Sequence, residues 1–140
     1  MCLFSLTDEV KKFKKKHGHK GKMRVWKMLR VYRGWSDDES KTLVGPYQSN
    51  YTYGAGINRS DSKQKKAKGG ERVSEGIHVY LNKKTAMEFS CGRRSRRVVA
   101  AWVKPKELLG TNGDHAVFKT IDIPERIFNL ALKGRKKLCV

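Results

Sequence analysis

Apolar and polar positions alternate most clearly over residues 23–32, Met-Arg-Val-Trp-Lys-Met-Leu-Arg-Val-Tyr. The segment is rich in β-formers and has no breaker, so it predicts a strand. Its alternation runs through Trp26 and Met28, which leaves the other face to carry charge at Lys27. A second strand is expected over residues 77–81, and Asn82 can cap a helix over 83–90 with Ala86, Met87 and Phe89 turned inward. Residues 98–103 are almost continuously apolar, as in a strand covered on both faces. Pro105 stops that strand, and residues 106–109 suit one helical turn. Asn112-Gly113 is a turn signal. Residues 116–123 then alternate through Val117, Phe118, Ile121 and Ile123, predicting a strand that pairs with 98–103 in a hairpin-like unit.

The remaining segments are more polar. Thr7-Asp8-Glu9 opens a short helix to about residue 16, with acids at the positive end of its dipole and a stripe of Val10 and Phe13. Residues 33–72 are loop-rich, and residues 51–56 fit a short strand or an aromatic-bearing loop. Residues 60–70 are basic and apolar-poor and are expected to be a mobile loop. An apolar segment at 127–132 closes the chain before a basic tail. The expected architecture is a single α+β domain, mostly antiparallel, with one or two short helices. It divides into a basic N-terminal helix or arm (residues 1–22), the α+β domain (23–132) and a basic tail (133–140).

Charge changes this picture. The 140 residues include 32 Lys and Arg against 13 Asp and Glu, a formal net charge of +19. Solubility asks for only about 2–8 charges on a small domain. Between Val10 and Ser36 there are eleven basic residues and no acid. Such an excess repels itself in a compact state and makes most sense beside a polyanion, of which nucleic acid is the commonest. Four basic clusters carry the charge: Lys11, Lys12, Lys14, Lys15 and Lys16; Lys63, Lys65, Lys66 and Lys68; Arg93, Arg94, Arg96 and Arg97; and Arg135, Lys136 and Lys137. Guanidinium forks bond phosphate bidentately or stack on bases, so the Arg93–Arg97 run is the sharper phosphate anchor, with Lys12, Lys15, Lys16, Lys65, Lys66 and Lys68 extending the footprint. Tyr47, Tyr51 and Tyr53 offer rings on which bases of single strands stack.

Other chemistry is weaker. His17 and His19 with Cys2 or Cys91 match no structural zinc spacing. Cys91 lies near Arg93 and Arg94, which lower a thiol pKa, but no histidine partner is evident for it or for Cys2. His78 reads as a ladder histidine within a strand, and His115, in a Gly-Asp-His turn, as the better-exposed base. No catalytic motif matches the charge in strength, and no cofactor or metal is expected. No apolar run approaches the roughly 20 residues of a membrane span. Three scattered cysteines give no disulfide framework and point to a reducing compartment.

From residue 23 onward the order of features resembles small stand-alone proteins of bacteriophages and prophages. The motifs are a strand, a Gly45-Pro46-Tyr47 loop, Tyr51 with Gly54, Gly76-Ile77-His78-Val79-Tyr80-Leu81, the Ala86 helix, a Val/Ala-rich strand ending near Pro105, and Leu108-Leu109-Gly110. The resemblance implies a phage accessory protein in the cytoplasm of an infected bacterial cell. Together with the charge, the expected function is binding of RNA, DNA or a host ribonucleoprotein, in that setting as an antagonist of host defence of the anti-CRISPR kind. Alternatives are a sponge for a nucleotide signal and a protein-surface inhibitor without nucleic acid. A fainter similarity, Tyr32-Arg33-Gly34 with Gly76 to Ala86, is to ADP-ribosyltransferase-type domains, for which Glu107 and Glu125 would be the candidate glutamates.

Overall fold

A computed structural model describes residues 3–33, 41–45, 52–60, 72–73, 76–90, 96–133 and 137–138. The elements follow in order as β1 (Leu3–Phe4), α1 (Thr7–His17), β2 (Met23–Arg33), β3 (Lys41–Val44), β4 (Thr52–Tyr53), β5 (Gly56–Arg59), β6 (Arg72–Val73), β7 (Ile77–Tyr80), α2 (Lys83–Ser90), β8 (Arg96–Val103), a 3₁₀ turn (Pro105–Glu107), β9 (Leu108–Asn112), β10 (His115–Phe118), β11 (Thr120–Ile123), α3 (Glu125–Leu132) and β12 (Lys137–Leu138). The fold is α+β with a mostly antiparallel sheet.

Two long strands form the spine. β2 and β8 pair antiparallel from Met23↔Val103 to Arg30↔Arg96. Each then divides its outer edge between two partners. β2 pairs β7 at Trp26↔Tyr80 and β3 from Arg30↔Val44 onward. β8 pairs β11 at Asp122↔Trp102 and β12, in parallel, at Val98 and Val99. The sheet path is β5-β11-β8-β2-β7-β10-β9. Only Lys119 separates β10 from β11, although three strands lie between them along the path. Four strand spacings on a flat sheet span about 19 Å, and one intervening residue reaches only about 7 Å. The sheet therefore curls until β10 and β11 meet end to end, and its inner face encloses the core.

That core holds Val25 and Leu29 of β2, Val99 and Ala101 of β8, Phe118 of β10, and Ile121 and Ile123 of β11. Two helices add to it. The i, i+3 pair Val10 and Phe13 of α1 is buried, with Phe13 against Phe118 at 6.0 Å between ring centres. α3 contributes Ile127 and Ala131. The N-terminal segment is thus packed into the domain. β1 pairs β6, Leu6 N–H donates to Thr111 C=O, and Asn112 Nδ2 donates to Phe4 C=O.

Several expectations change. The hairpin turn at Asn112-Gly113, with Gly113 at φ 59°, joins β9 to β10 and does not join 98–103 to 116–123. The expected strand over 116–123 divides at Lys119, because its two halves belong to opposite ends of the sheet path. The helical turn begins at Pro105, and Leu108 already belongs to β9. Phe89 was expected inward but is about half-exposed, at 48 %. Lys137 and Leu138, expected in a basic tail, pair with β8. Residues 61–70 of the expected loop lie outside the described residues.

Candidate nucleic-acid interface

The two faces of β2 and β8 differ in what covers them. Register and alternation put Val25, Lys27 and Leu29 on the inner face, opposite Ala101, Val99 and Arg97. Arg24, Trp26, Met28 and Arg30 lie on the outer face, opposite Trp102, Ala100, Val98 and Arg96. α2 covers the middle of this outer face, where Ala86 packs with Met28, Tyr80 and Val98. Asn82 Oδ1 caps that helix by accepting from Lys84 N–H at 2.8 Å. Arg96 fixes its other end, donating from Nη1 to Phe89 C=O at 2.8 Å, where a helix leaves carbonyls without intrahelical partners.

Beyond α2 the outer face opens. Arg24 is exposed and its guanidinium lies over the Trp102 ring, 5.0 Å from the centroid. Trp102 is half-buried, faces Asp122 on β11, and Asp122 in turn faces Ile57 on β5. At the far end of the same face, Arg30 stands directly opposite Arg96. Like charges directly opposed across a ladder oppose sheet formation. Trp26 Nε1 and Arg30 Nε are buried donors with no hydrogen-bond partner among the described residues.

α1 presents the other basic surface. Lys11, Lys12, Lys14, Lys15 and Lys16 are all exposed. Lys12, Lys15 and Lys16 share one flank at i, i+3, i+4 spacing, where like charges repel. The opposite stripe of Val10, Phe13 and His17 turns to the protein. The pKa of His17 is lowered by burial first, then by Lys20, Lys16 and His19, which disfavours a further positive charge.

Two residues expected at the interface are withdrawn from it. Tyr53 is only 8 % exposed and lies in the core, under the Lys27 ammonium at 5.3 Å, so its ring has no face for a base. Arg97 points to the inner face and is 8 % exposed, with Nη1 donating to Arg96 C=O and burial lowering its pKa. Arg96 is half-buried and Lys12, Lys15 and Lys16 are open. Arg93, Arg94, Lys65, Lys66, Lys68, Tyr47 and Tyr51 lie outside the described residues. Arg24, Arg30 and Trp102, which the sequence reading did not single out, also lie on the outer face. Arg24 and Arg30 share even spacing with Trp26 and Met28, a signal that could have placed them on one face.

Lys27 reverses its expectation most sharply. It is 4 % exposed, on the inner face, at the fork where the edge of β2 passes from β7 to β3. Its Nζ donates to His78 C=O of β7 at 2.6 Å. Burial pushes its pKa down to about 7.

The alternative chemistry has the following geometry. Glu107 accepts a hydrogen bond from the Thr120 hydroxyl, and Glu125 is exposed at the start of α3. His115 packs against Tyr80 and Phe89, at 4.8 and 5.7 Å between ring centres. Gly34, Cys2 and Cys91 lie outside the described residues. Among the described residues no three metal-ligating side chains come together, and no helix is long and apolar enough to cross a membrane. No family model, no curated protein and no solved structure matches the chain.

Proposed function

We propose that this protein binds nucleic acid, free or within a ribonucleoprotein, in the cytoplasm of a bacterial cell. The observation that carries the reading is like charge held side by side. The helical period sets Lys12 beside Lys15 and Lys16, and strand register sets Arg30 opposite Arg96. Both arrangements repel internally on a chain of net charge +19, and a polyanion relieves that repulsion. The α1 lysines supply long-range capture as point charges, and the arginines of the outer face supply forked contacts to phosphate. Antagonism of a host defence complex, implied by the resemblance to phage accessory proteins, is the biological setting of this proposal.

Salt tests it. Binding of a labelled single-stranded oligonucleotide, followed by fluorescence anisotropy between 50 and 200 mM salt, is expected to weaken steeply. Each phosphate contact on a single strand contributes about −0.7 to the slope of log K against log salt. Replacing Lys12, Lys15 and Lys16 together by Ala is expected to shallow the slope by about 2 on that basis, with the melting temperature nearly unchanged. Affinity indifferent to salt, or no binding at 50 mM, would overturn the reading.

A further inference from the structure

The open part of the outer face contains a row of mixed chemistry. Ile57, Asp122, Trp102 and Arg24 sit on four consecutive strands, β5, β11, β8 and β2, each directly opposite the next. Directly opposed side chains share a face about 5 Å apart. Ile57 is 67 % exposed, the most exposed large apolar side chain among the described residues. Asp122 is half-buried between it and Trp102, and among the described residues nothing hydrogen-bonds or ion-pairs with its carboxylate. The rim is cationic, with Lys20, Lys22, Arg59 and Lys104 exposed on the same segments or beside them.

A bare row of cations would suit phosphate alone. A carboxylate within it would repel phosphate and is matched instead by a partner that brings donors. Nucleobases bring both a stacking plane and, in cytosine, adenine and guanine, amino donors. We infer that this row is a base-binding site for single-stranded nucleic acid: Trp102 and the Arg24 guanidinium stack the base, Asp122 accepts from its exocyclic amino group, and Ile57 closes the far side. The cationic rim then takes the flanking phosphates. The inference rests on the nucleic-acid reading and adds to it a place and a preference. Bases carrying an exocyclic amino group are favoured over thymine or uracil, because carboxylates accept from such groups.

The test uses the full chain and two labelled 12-mers, oligo(dC) and oligo(dT), at pH 7.5 and 100 mM salt. Oligo(dC) is expected to bind at least about fivefold more tightly than oligo(dT). Asp122→Asn is expected to narrow that ratio towards one. Trp102→Leu keeps a large apolar side chain on the strand and is expected to weaken both oligonucleotides by about 5- to 100-fold through lost stacking. Thermal melting of each variant verifies that it is folded. Equal affinity for the two oligonucleotides, or an unchanged ratio in Asp122→Asn, would overturn the base site. Salt-dependent binding lost in the α1 lysine variant would in that case leave the broader reading standing. No binding of either oligonucleotide would overturn both.

Discussion

The two parts of the outer sheet face share strands and register but differ in what covers them. Under α2 the facing side chains are Met28, Val98, Tyr80 and Ala86, and all are buried. Two steps of the alternation further along, past Trp26 and Ala100 towards the start of β2 and the end of β8, they are Arg24, Trp102, Asp122 and Ile57, none of which is among the side chains packed with Ala86 of α2. The covered part is built as a core is, from apolar side chains and one alanine where the helix comes close. The open part combines an aromatic ring, a guanidinium, a carboxylate and an exposed isoleucine, with the Arg24 guanidinium lying over Trp102. The contrast separates side chains packed under a helix from side chains that, on the proposed reading, meet a partner.

The sharpest way to break this contrast is truncation on each side. Met28→Ala, at 1 % exposure, is expected to cost about 2–5 kcal/mol in chemical denaturation. Ile57→Ala is expected to stay within about 0.5 kcal/mol of the parent. Comparable losses at the two positions would mean that the open part is packed.

A second substitution on the same strand probes the inner face. The folded-state pKa of Lys27 is depressed to about 7, from 10.5 in the unfolded chain. Between those values the unfolded state binds more protons, so stability rises with pH and is lost as pH falls towards 7. The shift corresponds to about 5 kcal/mol at 1.36 kcal/mol per unit. Lys27→Met removes that cost but leaves His78 C=O without its donor, a loss of about 1–3 kcal/mol. The variant is therefore expected to be the more stable at pH 6 by about 2–4 kcal/mol, and its advantage to shrink by pH 9. A pH-independent difference in denaturant midpoint would show that the amine is not buried as described. The smallest effect belongs to Arg24→Ala, which removes the contact over Trp102 and is expected to cost no more than about 1 kcal/mol in stability, while weakening oligonucleotide binding.

The sequence was informative where local pattern decides. β2, β7, α2 and β8 follow from β-formers, breakers and the Asn82 cap, and α1 from its acidic start and the Val10–Phe13 stripe. Pairing was legible only in part: the expected partnership of 98–103 with 116–123 holds for β8 and β11 at Trp102↔Asp122, but residues 116–123 read as one alternating run although Lys119 divides them between two ends of a curled sheet. The same curl buried the side chains that composition assigned to the surface. Lys27 was expected to put charge on the open face of its strand, but β2 is central and its inner face is enclosed. Tyr53 and Arg97 went inward for the same reason. Trp102 went the other way: its apolar neighbours suggested a strand covered on both faces, and its outer face is covered only as far as α2 reaches.

The most direct test of the account is a map of backbone amide chemical-shift changes when the protein is titrated with a single-stranded oligonucleotide. The account predicts the largest changes at Ile57, Asp122, Trp102 and Arg24, with smaller ones along the α1 lysines and little change at Met28, Val98 and Ala86. Changes centred on the α2-covered part, or no changes at saturating oligonucleotide, would contradict it.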